Sequence, residues 1–115
     1  MGWTTHSQMA MERAMASAVY RAIADPTRRG ILDLLRDGER CVVELLEFFS
    51  CSQPTLSKHL RVLLQARLVR ARKRGRERWY RLDARGLAGV HDWVATYERF
   101  WNTRLDALGK VLDET

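Results

Sequence analysis

SQPTLSKHL, residues 52–60, is the stretch on which the reading of this chain turns. Ser52 suits a helix N-cap, and Pro54 falls in the first turn, where its missing N–H costs little, so a helix is predicted from here. Leu56, Leu60, Leu63 and Leu64 then follow at i, i+4, i+7 and i+8, one apolar stripe for a core. The opposite face presents Thr55, Lys58, Arg61 and Gln65, with Ser57 and His59 on its flanks. So many polar groups on one helix imply a contact outside the core.

Working toward the N-terminus, residues 42–49 (VVELLEFF) read as a short helix with Val42, Leu45, Leu46 and Phe49 inward. A longer helix precedes it, opened by Asp25 as N-cap and Pro26 at the first helical position, and stopped near Arg36 by Asp37-Gly38. Its apolar set is Ile31, Leu32, Leu34 and Leu35. Residues 9–24 form a first helix, with residues 1–8 expected as a mobile tail.

Toward the C-terminus the period changes. LVRARKRGRERWYRL, residues 68–82, alternates Val69 and Ala71 with Arg70 and Arg72, turns at 73–76 around Gly75, and returns through Trp79 and Tyr80. This predicts a two-stranded hairpin with a basic tip. Leu87, Val90, Val94, Tyr97, Trp101, Leu105, Leu108 and Leu112 then recur at helical spacing, which predicts one long helix over 86–112. That stripe is longer than the core of so small a domain can cover.

With 115 residues the chain supports a single domain, 1–115. Hydrophobic residues make up 46% and charged residues 30%, near globular values, and no apolar run approaches a membrane span. No signal-like segment opens the sequence and the two cysteines, Cys41 and Cys51, have no CxxC spacing, so a cytoplasmic protein is expected. The net charge is +6, but residues 58–85 hold eleven Lys or Arg against Glu77 and Asp83, a local +9 that leaves the remainder at about −3. A cation cluster of this density, almost all arginine, suits a phosphate backbone.

Two short helices joined by a tight turn, the second polar on its outer face and followed by a basic hairpin, make a winged helix-turn-helix, a mainly α fold with a two-stranded β-wing. In that arrangement Thr55, Ser57, Lys58 and Arg61 approach bases and neighbouring phosphates of double-stranded DNA. Ser52 and Gln53 meet the backbone at the helix N-terminus, and Arg74, Arg76 and Arg78 reach the flanking minor groove or phosphates. His59 is carried in the same DNA-binding set, although a hydrogen bond to a neighbouring helix is its readier use.

ADPTRRGILDLL (24–35), SQPTLSKHLRVLLQARLV (52–69) and RKRGRERWYRL (72–82), in this order and spacing, resemble the ArsR/SmtB group of bacterial winged-helix repressors over roughly residues 18–112. The resemblance implies a homodimer paired through its first and last helices (9–24 and 86–112) that binds a palindromic operator and represses its own or an adjacent operon. Where the family has glycine in "AGLV", this chain has Arg67, which must accept a left-handed backbone or a different cap.

Many members sense metals through paired cysteines before the reading helix. In ERCVVELL (39–46) Cys41 holds the first position but Val43 the second, so no metal and no cofactor is expected, as in the branch without metal ligands. A thiol-based redox or metal response through Cys41 and Cys51 is an alternative, as is a winged-helix module for RNA or a protein partner. An unknown effector could use the aromatic ending around Trp93, Phe100 and Trp101, although dimer packing accounts for those residues more simply. A cysteine enzyme finds no support, for want of a glycine-rich loop or paired carboxylates, and no membrane partner is expected.

Overall fold

Asp25 and Pro26 behave as their chemistry requires. Asp25 is extended (φ −92°, ψ 129°), its carboxylate accepts from the Arg28 amide, and Pro26 opens the following helix. The computed structural model describes residues 2–102 and 109, with side chains from Gln8 onward. The elements run α1 (Gly2–Ile23), α2 (Pro26–Arg36), β1 (Arg40–Cys41), α3 (Val42–Leu46), α4 (Gln53–Gln65), β2 (Val69–Arg74), β3 (Glu77–Leu82), a 3-10 turn at Ala84–Leu87, and α5 (Ala88–Ala95).

The core forms where the helical stripes meet. Leu56, Leu60 and Leu63 of α4 are fully buried against Ile31 and Leu35 of α2, Leu45 of α3 and Ala22 of α1. Leu68, Val69 and Tyr80 extend the same cluster onto the sheet. Burying each of these leucines contributes about 1.5–3 kcal/mol, so the inner face of α4 is fixed by burial alone.

At the end of α4 the chain turns sharply. Arg67 adopts φ +59°, its amide bonds to Leu64 O, and the Leu68 amide reaches back to Leu63 O, both at 3.0 Å. This is a Schellman closure, with buried Leu68 and Leu63 as its apolar pair. The left-handed backbone anticipated at Arg67 is therefore present, on a residue with a Cβ. The segment after β3 passes close by: a Cβ on Gly86 would lie 2.8 Å from both Arg67 O and Leu68 Cδ2. Only glycine fits that approach without displacing backbone.

The three strands pair antiparallel in the order β1-β3-β2. Arg74 pairs with Glu77 across a two-residue loop whose first position, Gly75, has φ +67°, as a type II′ hairpin requires. The wing predicted with two strands thus has a third, because Arg40 and Cys41 pair with Tyr80 and Trp79. Two residues carry no alternation to read, so β1 left no pattern in the sequence.

Two boundaries also differ. α1 begins at Gly2, so residues 2–8, expected outside the first helix, belong to it; no proline interrupts the segment. The final helix is not continuous. After α5 the chain forms a turn at Thr96 and Tyr97, and helix resumes at 98–102. The Thr96 and Tyr97 amides bond three residues back, to Trp93 O and Val94 O. The Thr96 hydroxyl also donates to Trp93 O at 2.7 Å, the local competition by which threonine loosens a helix. Leu105, Leu108 and Leu112 lie outside the described residues.

Replacing Arg67 with glycine removes the left-handed penalty, and the urea midpoint should rise by an amount corresponding to about 1 kcal/mol. Gly86→Ala should lower it by about 1–3 kcal/mol through overpacking. For the α2 cap, Asp25→Ala should cost about 1 kcal/mol at neutral pH. The Arg28 amide, opposed by partial burial and helped by nearby positive charge, holds the Asp25 carboxyl below its ordinary value. A depressed pKa stabilises the folded state above the unfolded value. The cost of Asp25→Ala should therefore shrink as pH falls through the depressed value, which urea titrations at stepped pH would follow.

Candidate nucleic-acid interface

Ser52 starts α4 with its hydroxyl accepting from the Thr55 amide at 3.3 Å and donating to Thr55 Oγ1 at 3.0 Å. The serine is thereby fixed, while the Thr55 hydroxyl proton stays available to an outside acceptor. Ser52, Gln53, Thr55, Ser57, Lys58 and Arg61 are all exposed, as their sequence spacing requires. They share the N-terminal end and outer face of a helix of 13 residues, whose positive dipole end favours an anion although Pro54 has no N–H and Ser52 already takes the Thr55 and Leu56 amides.

His59 departs from this set. Its side chain is 19% exposed and turns inward, with Nδ1 3.3 Å from Arg28 Nη1 and 3.9 Å from Asp25 Oδ2. It lies on the flank of α4 that packs toward α1 and α2, where it meets Arg28 of the neighbouring helix. The interhelical hydrogen bond is the use it has.

The hairpin sorts its cations by partner. Arg72 forms a two-bond pair with Glu39 (2.7 and 3.1 Å). Asp83 accepts from Arg70 at 2.9 Å and from Arg85 at 2.9 and 2.8 Å. The Arg85 guanidinium, with partial burial opposing and Arg70 assisting, holds the Asp83 carboxyl far below the usual carboxylate range. Arg74 stacks its guanidinium 4.7 Å from the centre of the Trp79 ring. Among the described residues no carboxylate pairs with Lys58, Arg61, Lys73, Arg76, Arg78 or Arg81.

Strand register sets several of these cations against one another. Arg70 lies directly across from Arg81, and Lys73 across from Arg78. Like charges in directly opposed positions destabilise a sheet, and here only Arg70 has a carboxylate to offset it. The two pairs are three residues apart along β2 and so project from opposite faces, and a polyanion would relieve the pair on the face it meets. Arg74, Arg76 and Arg78, named from the sequence, are exposed on this wing. Lys73 and Arg81 are equally exposed, and sequence reasoning missed them, although their strand positions could have marked them.

Cys41 lies 4% exposed at the start of α3, where Glu44 Oε1 accepts from its thiol at 3.4 Å and from its amide at 3.5 Å. Burial pushes the thiol pKa up, opposed by the Glu44 backbone amide and helped by the Glu44 and Glu77 carboxylates, which makes Cys41 a poor nucleophile at neutral pH. Cys51 is half-buried and free. His91 Nδ1 sits 3.3 Å from its exposed neighbour Asp92. Among the described residues no three of His, Cys, Asp or Glu converge on a point that could hold a metal ion. No described helix is long and apolar enough to cross a membrane.

This geometry has known counterparts. Residues 25–71, from the α2 cap into β2, match the family described as bacterial regulatory protein, arsR family. An arsenical resistance operon repressor of Staphylococcus aureus is 46% identical over 67 residues, 58% of this chain and 64% of that protein. The chain thus spans just under two thirds of that relative. The transcriptional repressor SdpR of Bacillus subtilis is 37% identical over 79 residues, 69% of this chain and 88% of that protein. A solved homodimeric winged helix-turn-helix DNA-binding domain from Mycobacterium bovis, described as a possible ArsR-family transcriptional regulator, matches with a TM-score of 0.65 at 29% identity. The match covers 80% of this chain and 85% of that one. With its matched segment, its relatives and its winged helix-turn-helix in agreement, the chain belongs to the ArsR family of bacterial regulatory proteins.

Proposed function

We propose that this protein is a homodimeric transcriptional repressor that reads a palindromic DNA operator in its own or an adjacent operon. The observation that carries the reading is the outer face of α4, anchored from behind by buried leucines and continued by a hairpin with mutually opposed cations, of which, among the described residues, only Arg70 has a carboxylate partner. Thr55, Ser57, Lys58 and Arg61 enter the major groove, where arginine and lysine read guanine edges and hydroxyls serve bases or phosphates. Ser52, Gln53 and the α4 N-terminus hold a backbone phosphate, and Arg74, Arg76 and Arg78, with Lys73 and Arg81, follow the flanking backbone.

The second subunit is supported by a face that one chain leaves uncovered. Met11 and Tyr20 of α1, Trp93 of α5, and Tyr97, Phe100 and Trp101 beyond it are 38–66% exposed. Trp93 meets Tyr20 and Tyr97 edge to face, with ring centres 5.8 and 5.6 Å away. Beside them a largely apolar cleft of about 570 Å³ opens between α1, the end of α4 and Gly86–Val90. A contiguous apolar surface of this kind marks an association face, and the M. bovis relative is homodimeric. Palindromic recognition follows from a two-fold pair of reading helices.

Fluorescence anisotropy with the duplex upstream of the protein's own reading frame and a scrambled duplex, at about 50 and 200 mM salt, tests the reading. Tight binding to the native duplex at the higher salt, with two subunits per site, is expected. Equal, salt-labile binding to both would leave only nonspecific association. Arg61→Ala should weaken native-duplex binding by about 1–3 kcal/mol and narrow the gap to the scrambled one. Arg76→Ala or Arg78→Ala should weaken both duplexes alike and reduce the logarithmic salt slope by about 1 each.

A further inference from the structure

Arg28, in the first turn of α2, directs each nitrogen of its guanidinium to a different group. Nε donates to Ala22 O at 2.7 Å and Nη2 to Arg21 O at 2.9 Å, so the group caps the last turn of α1. Nη1 faces Nδ1 of His59 on α4 at 3.3 Å. A guanidinium has donors only, so the contact is a hydrogen bond in the ring form whose Nδ1 carries no proton and accepts. Asp25 Oδ2 lies 3.9 Å from the same Nδ1 and accepts from the Arg28 amide at 3.0 Å, which holds Arg28 at the start of α2. The three helices are thus joined through one side chain.

The leucine stripe of α4 decides which face lies inward, but not the fine angle of the helix. Apolar burial is not directional and lets a helix rotate by a few degrees or slide slightly at small cost, whereas hydrogen bonds fix angle and distance. A dimer that reads two half-sites needs both reading helices in fixed relation to the dimer face. α1 carries part of that face, and its C-terminal carbonyls are where Arg28 is held.

We propose that Arg28 and His59 are positioning residues that lock the reading helix α4 to the C-terminal end of α1, so that the dimer face sets the spacing and angle of the two reading helices. The inference rests on the operator-reading dimer proposed above for its consequence, while the lock itself can be tested without DNA. His59→Leu removes the acceptor, keeps an apolar side chain of similar reach and strengthens helix propensity. His59→Asn keeps an acceptor oxygen near the position of Nδ1.

In the full chain, nitrogen NMR of the wild type at neutral pH should show His59 Nδ1 unprotonated and hydrogen-bonded, with the Arg28 Nε–H slow to exchange. A protonated Nδ1 or a rapidly exchanging Nε–H overturns the lock, whatever the variants do. His59→Leu should fold and dimerise as wild type, and its amides at the junction of α1 and α2 should exchange faster. Its preference for the native over the scrambled duplex should fall roughly tenfold, the loss of one charge-assisted hydrogen bond, with scrambled-duplex binding unchanged. His59→Asn should recover most of both properties. Wild-type exchange and preference in His59→Leu, or an Asn variant no better than Leu, would overturn the proposal. If the wild type shows no preference between duplexes, the operator reading fails, and the exchange and NMR results still decide whether the lock exists.

Discussion

The burial of Leu56, Leu60 and Leu63 is the constraint on which this fold depends. All three are fully buried, in one cluster with residues from α1, α2 and α3. Their spacing leaves α4 one orientation, because any large rotation would carry a leucine into water at about 1.5–3 kcal/mol. The exposed face is then determined by exclusion. Thr55, Ser57, Lys58 and Arg61 occupy it because the core needs nothing from those positions, and the sequence there is open to selection for binding.

The chain beyond α4 inherits this rigidity. The Schellman closure at Ala66–Leu68 buries Leu68 and directs β2 away from the helix axis, so the wing's position relative to the reading helix is set by two backbone hydrogen bonds. Holding Arg67 left-handed costs free energy, and the close approach of Gly86 shows that a neighbouring segment is packed against the same corner. A chain selected for stability alone would carry glycine at 67 and fewer directly opposed cations in its hairpin. The opposed pairs Arg70/Arg81 and Lys73/Arg78 are unfavourable in the isolated protein and favourable beside a polyanion.

Most of this was legible in the residue order wherever a pattern repeats. The α4 stripe, the Asp25 and Ser52 caps and the Gly75 turn are local and appear where the spacing put them. Features that depend on a distant partner were not legible. β1 is two residues long, and its pairing with β3 comes from packing. The turn at Thr96 and Tyr97 arises from a hydroxyl competing with the helix ladder inside an otherwise regular stripe. In the site, exposure of the α4 residues could be read from period, but the inward turn of His59 required Arg28, 31 positions away. The division of the basic cluster likewise depended on Glu39 and Asp83, one of them outside the cluster.

That division changes what the charge count means. The local excess of +9 counts every arginine alike, yet Arg72 is paired with Glu39 before β1, and Arg70 and Arg85 share Asp83 just after β3. Such exposed pairs contribute little stability individually, but they occupy three of the cluster's guanidinium groups, while strand register and helix period set where the remaining cations project. Lys58 and Arg61 on the helix and Lys73, Arg76, Arg78 and Arg81 on the hairpin are the charges left for a phosphate backbone. The number of phosphates neutralised on binding therefore follows the second group rather than the total.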